Sequence, residues 1–197
     1  MRGLIKMDQQ QQELVTMVRN FMNREIKPHI REFEEAGGYP DHLVQMGKDM
    51  GLTVMQVPER YGGLELSTTT TAMMLEEGAK VESTYISMFN ITNMGAKIVM
   101  FAGSEAQKEY YAGILADGGM SSFCLTEPGA GSDAASVRTT AVRKGDKYII
   151  NGNKMFITNA SIADVFLVVA STDLSKGYKG LATFIVERSR PGVAVGK

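Results

Sequence analysis

The chain reads as two joined parts, an all-α helical bundle over residues 1–120 followed by an antiparallel β domain over residues 121–197. Three observations predict this. Apolar residues recur at helical spacing through the first part. Of the 14 methionines only Met155 lies beyond residue 120. β-Branched residues rise after Ser121, in short runs separated by turn signals, with no helical stretch between them.

In the first part, Leu14, Val18, Phe21 or Met22, and Ile26 share one face of a helix that starts near Asp8. Pro28 should break or kink it, since its ring removes a donor and clashes with the preceding turn. Ile30 and Phe33 resume the stripe, and Gly37 and Gly38 end it. A second helix begins at Pro40 and Asp41, with Leu43, Met46 and Met50 on one face and Gly51 just past its end. The run from Leu52 to Gly63 then reads as extended, with a shaped turn at Pro58, Gly62 and Gly63. Ser67–Lys80 reads as a third helix with Ala72, Leu75 and Ala79 inward.

From Ser83 or Thr84 the chain is apolar on nearly every helical face, which predicts a buried helix. Ser87, Asn90, Thr92, Asn93 and Lys97 interrupt the apolar region from Tyr85 to Ala102, which argues against a membrane span. Ser104 with Gln107 is a capping box that opens a last helix through Tyr110, Ile114 and Leu115, closed by Asp117, Gly118 and Gly119.

In the second part, Phe123–Leu125 suits a short strand, which Pro128 ends. The loop after it, with Gly129, Gly131, Ser132 and Asp133, can turn N–H groups and the hydroxyls of Thr126 and Ser132 toward one spot, a chemistry suited to a phosphate or a polar ring edge. Residues 137–143, 147–151 and 153–158 read as strands joined at Lys144-Gly145-Asp146 and Asn151-Gly152. VFLVVAST, ATFIVERS and VAVG supply further strands, and the domain reads as unfinished, or truncated, at Gly196–Lys197.

With Lys+Arg 21 against Asp+Glu 22 the formal net charge is -1, so no basic field is available for nucleic acid or an anionic membrane. One cysteine, Cys124, and two distant histidines, His29 and His42, support neither a disulfide nor a metal site. The amino terminus lacks the apolar run of an export signal, so a reducing cytoplasm is the expected location.

The string TEPGAGSD at Thr126–Asp133 resembles a signature of the acyl-CoA dehydrogenase family. PERYGG at Pro58–Gly63, YIINGNKMFITNA at Tyr148–Ala160 and FIVERSRPGVAVG at Phe184–Gly196 resemble further blocks of that family, in its order and near its spacing. The resemblance implies an amino-terminal helical domain plus most of a flavin-binding middle domain, without the carboxy-terminal helical domain. It implies FAD as cofactor and oxidation of an acyl-CoA thioester to its trans-2-enoyl form, by α-proton abstraction and β-hydride transfer to flavin N5. The implied partners are acyl-CoA, an electron-transferring flavoprotein and further copies of the chain, a tetramer in the family.

Carried over by position, Phe123, Leu125 and Thr126 would meet the flavin edge, largely through backbone groups, and Gly131 and Ser132 the pyrophosphate, with Ser132 also beside the substrate. Phe156, Ile157 and Thr158 would back the isoalloxazine ring, Thr158 near N5. Many relatives carry tryptophan where this chain has Phe156, which keeps stacking and loses an indole donor. Met88, Phe89, Ile91 and Met94 correspond to a helix that lines the acyl pocket, although methionine and aromatic residues at this spacing more often fill a core.

A threonine at a strand end, such as Thr158, is more often a satisfied β-residue than a cofactor ligand, and Ser132 or Asp133 also reads as a turn cap. Glu127, before a proline, reads as a structural or rim charge and is not assigned as the base. In the family the base is a glutamate of the later helical domain, so no residue here is expected to be catalytic and the chain alone is expected to be inactive. Other readings are a flavoenzyme of the same fold, either an acyl-CoA oxidase or a flavin-dependent monooxygenase, and a non-catalytic binding module.

Overall fold

A computed structural model describes residues 7–196. The chain divides into two compact units, Met1–Gly118 and Gly119–Lys197. Unit 1 contains six α-helices among the described residues: α1 (Gln9–Phe21), α2 (Ile30–Ala36), α3 (Asp41–Asp49), α4 (Thr68–Ala79), α5 (Ser83–Ala102) and α6 (Glu105–Ala116). Asp8 caps α1 and Ser104 caps α6, each in a reciprocal capping box with the glutamine three residues on. Pro28 does not end the first helical run. The strain is spread over a π turn (Met22–Ile26) and a 3-10 turn (Lys27–His29), after which α2 continues to Gly37, whose φ of 70° lets it close the helix.

Two expectations for unit 1 change. Leu52–Gly63 is a compact loop and not an extended run. Leu64, Glu65 and Leu66 donate their N–H groups back to Val54, Val57 and Met55, which buries Leu52, Val54, Met55 and Val57. In α4 the inward residues are Thr70, Thr71, Met74 and Gly78, while Ala72 and Ala79 are exposed. Gly78 faces inward because α5 approaches closely there: a Cβ on it would lie 2.7 Å from Ile86.

Helix α5 buries Tyr85, Ile86, Met88, Phe89, Thr92, Asn93, Ala96 and Val99, yet Phe101 near its end is 92% exposed. The helix is therefore buried along one broad face and open along the other. Among the described residues, no helix is long and apolar enough to cross a membrane.

Unit 2 is built on a five-stranded sheet. Its strands are β1 (Ser121–Cys124), β2 (Thr140–Lys144), β3 (Lys147–Asn151), β4 (Val165–Ser171) and β5 (Leu181–Glu187). The helical-then-sheet order is as expected, but the sheet is mixed and not antiparallel. β4 pairs in parallel with β1 from Ser121↔Val165 to Cys124↔Val168, and touches β2 in parallel at Thr140↔Ser171. β4 also pairs antiparallel with β5 along its whole length, and β2 with β3. The reason is that the chain between β1 and β4 returns through a hairpin and an irregular loop, a crossover that needs no helix.

With a neighbour on each edge, β4 is buried at every residue but Val168, which explains its unbroken apolar run. The β2–β3 turn has two residues, Gly145 and Asp146, with positive φ at Gly145 alone, the placement that type II′ hairpins favour. Asn151-Gly152 forms no second hairpin, and Asn153–Thr158 and Val193–Gly196 are not strands.

Candidate functional site

β1 leads Phe123, Leu125 and Thr126 to the edge of the sheet, and the loop after it is pinned at once. Glu127 N–H donates to the Ala130 carbonyl at 3.0 Å and Ala130 N–H to the Glu127 carbonyl at 3.1 Å, so Pro128 and Gly129 form a tight turn. Gly131 and Ser132 follow on the exposed side, and the Ser136 hydroxyl bonds the Asp133 carboxylate. Neither Gly129 nor Gly131 has a positive φ, contrary to the expected use of their conformational freedom. A Cβ on either would meet no heavy atom within 4 Å. Among the described residues, neither a contact nor a left-handed φ requires glycine at these two positions.

The segment expected as a strand, Asn153–Thr158, is a loop because Phe156 and Asn159 take left-handed φ values of 57° and 69°, which no strand accommodates. For a phenylalanine this conformation costs about 1–2 kcal/mol. Its effect is to present the ring, which is 84% exposed, while the next residue, Ile157, packs inward against Cys124, Ala163 and Phe166.

Five hydrogen bonds lace this loop to β1 and its continuation. Asn159 Nδ2 donates to the Ser121 carbonyl (3.0 Å) and Ser122 Oγ to the Thr158 carbonyl (2.8 Å). Lys154 Nζ donates to the Leu125 carbonyl (3.0 Å) and to Glu127 Oε1 (2.7 Å), and Met155 N–H donates to the Thr126 carbonyl (2.9 Å). The stretch carrying Phe123, Leu125 and Thr126 and the stretch carrying Phe156, Ile157 and Thr158 thus run side by side in one unit, while Gly131 and Ser132 lie past the Glu127–Ala130 turn and share none of these five bonds. Thr158 and Ser132 are exposed, and Phe123, Leu125, Thr126 and Ile157 are half-buried.

Glu127 is an internal charge, only 6% exposed. It accepts from Lys154, from the Arg138 N–H (2.7 Å), and from the N–H (3.0 Å) and hydroxyl of Thr139. Burial alone would raise its carboxyl, but these donors outweigh that and hold it down to about 2. Cys124 is buried too, and burial pushes its thiol up to about 11, away from nucleophilic use.

Sequence reasoning missed Lys154, Thr139, Ser121, Ser122 and Asn159 as the fabric of the site. A lysine among apolar residues in NGNKMFITNA was a usable signal for Lys154; Thr139 offered none. On the other unit, Phe89 is buried against Tyr85, with ring centroids 5.4 Å apart, and Met88 is also buried, so both act as core. Ile91 and Met94 are half-buried. A concavity of about 480 Å³ in unit 1, lined by Met17, Phe21, Met46, Met50, Arg24 and Glu25 among others, touches none of the candidate residues.

The depressed Glu127 carboxyl makes unit 2 sensitive to acid. The unfolded group titrates near 4.5 and the folded one near 2, so its contribution is complete above about 4.5 and is lost as the pH falls toward 2. The expected loss is on the order of 3 kcal/mol. Glu77 in unit 1 is also held down to about 2, by hydrogen bonds from Arg19 and Lys80, so a local probe is needed. The protection factors of β4 amides, taken relative to intrinsic exchange at each pH, should fall across this window in the native chain and much less steeply in Glu127→Gln; equal slopes would contradict the assignment.

The family model for the acyl-CoA dehydrogenase N-terminal domain matches residues 8–119, and that for the middle domain matches residues 122–197. The chain is 44% identical over 193 residues to cyclohex-1-ene-1-carbonyl-CoA dehydrogenase of Syntrophus aciditrophicus (strain SB), covering 97% of this chain and 47% of that protein. Butyryl-CoA dehydrogenase from Megasphaera elsdenii has a similar structure, with a TM-score of 0.90 at 32% identity over 96% of this chain and 51% of that one. A glutaryl-CoA dehydrogenase from Mycobacterium smegmatis in complex with FADH2 matches with a TM-score of 0.85 at 30% identity, over 94% and 47% of the two chains. The chain spans about half the length of the curated relatives it matches.

Proposed function

This chain belongs to the acyl-CoA dehydrogenase family, whose cofactor is FAD, and from that premise we propose that residues 121–132 and 154–159 form one wall of an FAD site in a protein that oxidises acyl-CoA to trans-2-enoyl-CoA. The observation that carries this reading is the laced pair of segments, which sets backbone groups, hydroxyls and one exposed aromatic ring along a single seam.

The residues suit the group. Gly129 and Gly131 leave space that the chain itself does not use, so a phosphate can approach the main chain. The Ser132 and Thr158 hydroxyls are exposed donors, and the Phe156 ring offers a face for stacking. When bound, FAD supplies the acceptor for the hydride that leaves the acyl β-carbon.

This chain's part is to orient and to bind. Phe123, Leu125 and Thr126 address the ring edge, Gly131 and Ser132 the pyrophosphate, Ser132 also the CoA-bearing substrate, and Phe156, Ile157 and Thr158 the ring face. Glu127 does not take the α-proton, because its carboxylate is already filled by four donors at a pKa near 2. The reading assigns no base among residues 121–132 and 154–159, whose part is to hold cofactor and substrate. An electron-transferring flavoprotein as acceptor and assembly with further copies complete the reading.

Phe156→Gly tests it through two opposed effects. Glycine relieves the left-handed strain, so stability without cofactor should hold or rise by up to about 1 kcal/mol. Loss of the ring should weaken FAD binding severalfold, since aromatic pairs contribute about 0.5–1.5 kcal/mol beyond area burial. A stabilised variant with undiminished FAD affinity in a fluorescence-quenching titration would remove Phe156 from the site.

A further inference from the structure

A buried ion pair is a poor device for stability, because desolvating two charges offsets most of their attraction and an apolar pair of similar size often serves as well. Lys154 and Glu127 are nevertheless 10% and 6% exposed at 2.7 Å. What they accomplish is geometric. The ammonium also holds the Leu125 carbonyl at 3.0 Å, and because a trans peptide sets its C=O and N–H on opposite edges, the Thr126 N–H is thereby turned away from Lys154.

The carbonyl of Thr126 is fixed in turn by the N–H of Met155, the residue after Lys154. Both peptide groups flanking Thr126 are therefore set by two adjacent residues, and the next residue along is Phe156. On the far side, Glu127 is anchored by Thr139 and the Arg138 N–H, which ties the pair to the start of β2.

Resting on the flavin reading above, we propose that Lys154 and Glu127 are a positioning pair for that cofactor: Lys154 aims the Thr126 peptide and carries the Phe156 loop, and Glu127 cancels the ammonium charge beside the ring edge. The charge balance gives the pair a signature that packing alone would not produce. Without Glu127 an uncompensated cation favours added electrons on the flavin; without Lys154 an uncompensated carboxylate disfavours them.

The test is the midpoint potential and FAD dissociation constant of FAD-loaded protein carrying Glu127→Gln, Lys154→Met or both. The expected result is a raised potential in Glu127→Gln, a lowered one in Lys154→Met with FAD binding weakened tenfold or more, and a potential in the double variant between those of the two single variants. Because the double variant removes both charges together, it preserves a readable protein if Lys154→Met fails to fold. Single variants whose potentials move in the same direction, or that keep native affinity and potential, overturn the positioning pair while leaving the flavin reading intact. Native protein that takes up no FAD overturns the reading beneath it.

Discussion

Gly152→Val is expected to destabilise unit 2 by about 3 kcal/mol or more, although Gly152 lies on the surface and its φ is not left-handed. A Cβ on Gly152 would stand 2.1 Å from Thr139 Oγ1 and 2.6 Å from both Thr139 Cβ and Cγ2. Thr139 cannot yield without cost. It is buried, and its N–H and hydroxyl both serve Glu127. Pushing it aside adds an overpacking penalty of about 1–3 kcal/mol to the loss of donors at a buried carboxylate. Urea unfolding followed by β4 amide signals measures the sum. A change under about 1 kcal/mol would mean that the Thr139 contact is not a constraint.

Asn93→Ala should cost about 2–4 kcal/mol in unit 1, where the side chain is fully buried. Its amide donates to the carbonyls of Leu52 (2.7 Å) and Phe89 (2.8 Å), and its oxygen accepts the Gln56 N–H (3.0 Å). One side chain therefore fastens the compact loop after α3 to the middle of α5. Alanine would leave the Gln56 N–H and the Leu52 carbonyl without that partner and open a small cavity. Chemical denaturation with a unit 1 probe reads this directly, and an unchanged midpoint would show that water or the loop itself compensates.

Asn93 also shows where sequence reasoning stops. As a polar residue in an apolar stretch it was legible as an interruption of a membrane span, but two of its three partners, Leu52 and Gln56, lie 41 and 37 residues away and leave no local trace. The elements that depend on neighbours in sequence were readable: the Ser104 capping box, the Gly145 hairpin and the change from helix to sheet near Ser121. Those that depend on tertiary contacts were not. The inward face of α4 falls on Thr70, Thr71, Met74 and Gly78 because α5 comes close at Gly78, whereas hydrophobicity alone favoured Ala72, Leu75 and Ala79. The parallel pairing of β1 with β4 required knowing that the intervening chain returns without a helix.

At the site, the loop around TEPGAGSD was evident from its glycines and proline, but the residues holding it were not. MFITNA has the composition of a strand, and only the left-handed Phe156 and Asn159 make it a loop. Lys154 and Thr139 acquire meaning only when both segments are side by side around Glu127.

If residues 121–132 and 154–159 together form a wall for FAD, the cofactor must perturb both segments at once. Titrating FAD into the ¹⁵N-labelled 197-residue chain and mapping the amide shifts tests this without requiring turnover. Saturable shifts concentrated at Phe123, Leu125, Thr126, Gly131 and Ser132 and at Phe156–Thr158 are the expected result. Saturable shifts that spare these residues and gather elsewhere, or no saturable shift at all, would contradict it.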